Sequence, residues 1–166
     1  GYIVHFGVVV IIIGIAGTAF NKQNEQPLGV GQTMRIGPYT LIGRSYTQDD
    51  NPNYSSESAI IDVTRGGRQV ATMYPERRMY KASGQTATMV ANRSTPQEDL
   101  YLVYAGRSED NGPPIIRAHL NPLVMWIWVG VYVIIFGTVI ALVPNRAAVA
   151  VTSPARARAA TVEAGD

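Results

Sequence analysis

The sequence contains no cysteine, which excludes a disulfide framework, a thiolate metal centre and thiol chemistry of the chain's own. Net charge is nearly absent too. Lys and Arg number 14 against 12 Asp and Glu, a balance of +2, and the basic residues are scattered, so nucleic acid is not an expected partner. Histidine is limited to His5 and His119. There is no Gly-rich phosphate loop, no HExxH helix and no Ser nucleophile with a recognisable base. The acidic pairs Asp49-Asp50 and Glu98-Asp99 fall among turn residues, where they read as turn formers and caps and not as catalytic acids.

Apolar residues make up 46% of the 166 positions, and they are segregated. Tyr2–Phe20 holds no charged residue, and as a helix it covers about 28 Å, close to the ~30 Å hydrocarbon core of a bilayer. Residues 124–143 are equally uncharged and end at Pro144, which cannot continue a helix without losing a hydrogen bond. Helices apolar on every face are uncommon in a soluble domain of this size, so both runs are read as transmembrane helices. Gly17-Thr18-Ala19 has the small residues of a signal-peptide cleavage site, but no basic stretch precedes the apolar run. A chain that begins inside a hydrophobic segment is expected to be a piece of a longer membrane protein.

Between the helices the pattern changes to period two. Residues 58–64 and 69–74 read as strands joined at Gly66-Gly67, where glycine supplies the positive φ of a hairpin turn. Five more strands are expected at Thr33–Ile36, 39–46, 86–92, 100–105 and 115–120. They are separated by turn chemistry at Gly37-Pro38, at Asp49-Asp50-Asn51-Pro52, at Ser83-Gly84 and at 109–114. Residues 94–99, with a hydroxyl, an early proline and two acids, fit a single helical turn leading into a strand. The expected fold is a membrane protein with two transmembrane α-helices flanking an all-β domain, an antiparallel barrel or sandwich.

Two spans put both ends on one side of the membrane. Arg146, Arg156 and Arg158 follow the second span, and positive charge near a span favours the cytoplasm. The expected organisation is therefore a transmembrane helix at 1–20, an extracytoplasmic β domain at 21–123, a second helix at 124–143 and a disordered cytoplasmic tail at 144–166. Trp126 and Trp128 stand where the chain enters the second span, as membrane anchors or as the lining of a cofactor or partner groove.

His5 is the most informative polar residue, because ionisable groups inside an apolar helix are costly and functional by default. A neutral imidazole can ligate haem iron or relay protons, or it can be hydrogen-bonded near a helix end. Gly7, Gly14 and Gly17 would let another helix or a flat macrocycle approach closely. His119 has no partner at ligand spacing and reads as a surface residue. The segment Pro75-Glu76-Arg77-Arg78-Met79-Tyr80 is either a carboxylate-binding guanidinium pair or a solvated strand or turn with one local ion pair.

Several segments together resemble one family. His5-Phe6-Gly7 and 14–20 in the first span, Tyr39-Thr40-Leu41, 50–54, 75–80, Arg93-Ser94-Thr95, 98–101 and 121–130 match in order and spacing the C-terminal part of the cytochrome c-type biogenesis family CcmF, the haem lyases. The resemblance implies a segment of a polytopic protein of the bacterial cytoplasmic membrane that attaches haem to apocytochrome c. It implies that His5 is an axial ligand of an integral haem b, paired with a histidine from an upstream transmembrane helix. The implied partners are those upstream helices, the haem chaperone CcmE and other maturation subunits, apocytochrome c and membrane lipid. This segment alone is not expected to be active. A non-enzymatic two-pass scaffold whose β domain binds a partner is the alternative. A proton pathway is weaker, since neither span holds a second ionisable residue of the kind a relay needs.

Overall fold

The computed structural model describes residues 1–108 and 112–143. The tail read at 144–166, with its three arginines, and positions 109–111 of the last turn lie outside the described residues. Two apolar helices flank an all-β domain. The first, α1 (Tyr2–Ala16), runs into a 3-10 turn at Gly17–Phe20, and the second is α2 (Val124–Leu142).

The β domain is a sandwich of two antiparallel sheets. One has the order β1 (Lys22–Pro27), β10 (Pro114–Pro122), β9 (Glu98–Arg107), β8 (Ala91–Ser94). The other has β2 (Thr33–Ile36), β3 (Tyr39–Asp50), β4 (Tyr54–Arg65), β6 (Glu76–Tyr80) and β7 (Thr86–Met89), while β5 (Arg68–Met73) pairs with the remaining length of β4. Alternation builds the core. Leu100, Leu102 and Tyr104 on β9 and Ile116, Ala118 and Leu120 on β10 face Tyr39, Leu41, Ala59, Ile61 and Val63 of the other sheet, and all are buried. Each large aliphatic side chain buried this way contributes about 1.5–3 kcal/mol.

Four expectations need correction. Lys22–Pro27 is a strand although it carries no apolar alternation; it pairs with β10, and its Asn24 and Gln26 amides donate to the Arg35 and Thr33 carbonyls at 2.8 and 3.1 Å, sealing the edge of β2. Asp49 and Asp50 belong to β3 and not to a turn, because the hairpin closes at Asn51, whose Oδ1 accepts from the Asn53 and Tyr54 amides. The run 86–92 is two strands, since the chain leaves one sheet at Val90 and enters the other. Residues 94–99 form no helical turn. Thr95 Oγ1 accepts from the Glu98 amide and donates to the Glu98 carbonyl, closing a tight β8–β9 turn.

The helices continue directly from neighbouring strands, since β1 and β10 pair with Lys22 opposite Leu120. They pack antiparallel through glycines. A Cβ built on Gly7 would lie 2.6 Å from Ile134 Cγ1, on Gly14 2.7 Å from Ile127 Cγ1, and on Gly130 2.5 Å from Ile11 Cγ1. Any side chain there would force the backbones apart. At the neck, Leu123 enters α2 with φ 62°, its amide donates to the Gln97 carbonyl at 2.9 Å, and Trp126 Nε1 donates to the Pro96 carbonyl at 3.0 Å. Trp126 thus ties α2 to the β8–β9 turn.

Candidate functional site

Apolar residues fill every position of α1 except His5, so its faces differ in only two respects. The face carrying Gly7 and Gly14 is covered by α2. His5 stands about 180° round the helix from that face, exposed, with Val9 and Ile12 above it and also exposed. The flat-macrocycle reading of the glycines is therefore not what the structure shows, because another helix occupies them.

The imidazole is fixed in one tautomer. His5 Nδ1 lies 2.9 Å from the Gly1 carbonyl oxygen, which can only accept, so Nδ1 carries the proton and donates it. In the neutral imidazole Nε2 then holds the lone pair, on the face of α1 that α2 leaves open. A histidine that donates one N–H to a backbone carbonyl and presents the other nitrogen bare is the arrangement found at metal-ligating imidazoles. From His5 to Phe20, where the β domain begins, the axis rises about 23 Å. Both helices are long and apolar enough to cross a membrane.

The other sequence candidates separate from this site. His119 lies on the outer face of β10, edge-to-face with Tyr101 at 6.1 Å between ring centroids. Among the described residues no three His, Cys, Asp or Glu come together as a metal would need. Within β6, Glu76 and Arg78 form a bidentate pair at 2.7 and 3.0 Å, and the Arg78 guanidinium lies 4.9 Å over the Tyr54 ring. That hydrogen bond holds the Glu76 carboxyl below the usual carboxylate range and raises Arg78. Arg78 is thus spent inside the fold.

Arg77, one residue earlier, points to the opposite face of the sheet and lines a cavity of about 420 Å³ with Gln48, Asp50, Ser55, Glu57 and Met79. Sequence reasoning missed this group. Its members come from three strands, and only the pairings of β3 with β4 and of β4 with β6 bring them together.

Residues 19–122, the neck and sandwich, match the family described as "CcmF C-terminal beta-sandwich". The chain belongs to the CcmF family. This CcmF chain is 30% identical over 153 residues to the cytochrome c-type biogenesis protein CcmF of Pseudomonas aeruginosa, covering 92% of the chain and 23% of that relative. It is 32% identical over 134 residues to the cytochrome c-type biogenesis protein NrfE of Haemophilus influenzae, covering 80% of the chain and 21% of that relative. The solved structure of a protein named "Cytochrome c Heme Lyase CcmF" superposes with a TM-score of 0.69 at 19% identity, over 86% of this CcmF chain and 24% of that one. That likeness is one of fold. The chain spans about a quarter of the length of the relatives it matches, and His5 lies before the residues matched to the family.

Proposed function

We propose that this CcmF chain is the C-terminal segment of a cytochrome c haem lyase and that His5 is an axial ligand of an integral haem b. The observation that carries the reading is the Nδ1 bond to the Gly1 carbonyl, which leaves Nε2 bare on the face of α1 that α2 does not cover. The names of the relatives support the pathway, cytochrome c biogenesis.

The residues present fit one side of a haem. His5 Nε2 is a neutral nitrogen donor, Val9 and Ile12 above it are apolar, and the helix around it holds no competing charge. The bound haem would supply one-electron redox chemistry at the iron. His5 contributes orientation, because the Nδ1–H bond sets the ring plane and makes the other nitrogen the better donor. Val9 and Ile12 would offer apolar contact to the group that His5 holds. A second ligand would have to come from outside this segment, since among its spans only α1 carries a histidine.

α1 and α2 cross the bacterial cytoplasmic membrane, and the sandwich stands on the extracytoplasmic side, where apocytochrome c receives its haem. Its role is docking, for apocytochrome c or for a maturation subunit such as the haem chaperone CcmE. The test is the haem content of the full-length protein purified with His5→Ala, read as the pyridine haemochrome and normalised to protein. Loss of most of the b-type haem is expected. Unchanged content would overturn the ligand assignment, and the absence of haem from every preparation, wild type included, would favour a non-enzymatic scaffold.

A further inference from the structure

The β3–β4 hairpin and the strand β6 beside it carry their inner face past the end of the core. Ala59, Glu57 and Ser55 alternate onto one face of β4; Ala59 is fully buried in the core, while Glu57 and Ser55 line the cavity. The register sets Gln48, Glu57 and Arg77 side by side in one row and Asp50, Ser55 and Met79 in the next. The result is an open groove of about 420 Å³ at the end of the sandwich remote from the helices.

Its charges are mostly neutralised within the fold. Glu57 Oε1 accepts from Arg107 Nε at 2.8 Å and from Gln48 Nε2 at 2.9 Å. Asp50 pairs with Lys81 at 2.7 Å. Arg77 pairs with no carboxylate among the described residues. Its guanidinium rests against the backbone of Gly106, where an added Cβ would come within 3.2 Å of Nη1. Gly106 holds φ +134°, a conformation that a side chain would strain. Among the described residues, Arg77 is thus a positioned guanidinium, with its fork of N–H donors, in a groove whose other cations are paired.

We propose that this groove binds an extended polypeptide segment through one carboxylate side chain, an Asp or Glu held by Arg77. A planar carboxylate accepts two parallel N–H bonds from a guanidinium. A phosphate brings up to two charges against the single charge of Arg77, so the singly charged group is favoured. Ser55 and Gln48 offer hydrogen bonds and Met79 an apolar contact to the flanking residues of such a segment. The groove crosses three strands, which suits a chain lying across them in extended form. The inference deepens the docking role given above to the sandwich and does not depend on haem.

The full-length protein in nanodiscs, titrated against a fluorescein-labelled decapeptide with a single glutamate among serine, threonine and valine, tests it by fluorescence anisotropy. Saturable binding is expected, weakened roughly ten-fold or more by Arg77→Gln and partly restored by Arg77→Lys, since the lost bonds are charge-assisted. Arg44→Gln, on a different surface ion pair with Asp62, should leave binding unchanged. Three results would overturn the proposal: equal affinity in Arg77→Gln, equal binding of the peptide with glutamine in place of glutamate, or no binding at all. Competition by sodium glutarate as effective as that of unlabelled peptide would overturn the polypeptide assignment. The haem spectrum of each preparation is recorded alongside, so failure of the groove and failure of the haem site are read separately.

Discussion

Tyr46 and Tyr104 both present a phenol to the interior, with unequal consequences. The Tyr46 hydroxyl donates to the carbonyl of buried Leu28, so Tyr46→Phe leaves a buried acceptor unpaired and should cost about 1–2 kcal/mol. The Tyr104 hydroxyl is buried beside the Glu57–Arg107 pair but makes no bond of good hydrogen-bonding geometry among the described residues, so Tyr104→Phe should cost less than Tyr46→Phe. Thermal unfolding of the two variants distinguishes them. Burial pushes both phenols up, Tyr46 to about 12. The unfolded chain then releases its phenolic protons first, near pH 10. The stability tied to neutral Tyr46 is complete below that pH and is lost as pH rises toward 12. A stability profile across that window should fall more gently in Tyr46→Phe than in wild type. His5 stands out in the sequence as a candidate because an imidazole in an uncharged run is conspicuous. Arg77 does not, because a guanidinium gains meaning from its neighbours, and those come from other strands.

Among the elements, the helices were the easiest to read, since absence of charge over their whole length needs no tertiary information. β9 and β10 were also legible, because their core residues alternate. β1 was invisible for a physical reason. It lies at a sheet edge, and its contribution is made by amide side chains that cap carbonyls of β2, so no apolar period marks it. The sequence offered two purposes for the small residues of α1, approach of a helix or of a flat macrocycle, and the choice between them depends on where α2 packs. That packing predicts an outcome. Gly130→Leu overfills a contact where even a Cβ meets Ile11 at 2.5 Å, and it should destabilise the helix pair by about 1–3 kcal/mol. Ile135→Leu, on the open face where the residue is 54% exposed, should not. Thermal unfolding in detergent compares the two, and equal melting temperatures would contradict the glycine interface.

Taken as a whole, the chain is a sandwich fixed to a helix pair by a short neck. Gly17 lies against Pro122, Leu123 is tied to Gln97 and Trp126 to Pro96, so the sandwich and the helix carrying His5 are held in one orientation. A partner docked on the sandwich is thereby placed at a set distance from the His5 face. The most direct test of the His5 assignment is the electron paramagnetic resonance spectrum of the oxidised full-length protein carrying His5→Gly, recorded with and without added imidazole. Loss of the low-spin haem signal, and its return when imidazole fills the vacated position, is the predicted result. A low-spin signal identical to wild type without imidazole would contradict it.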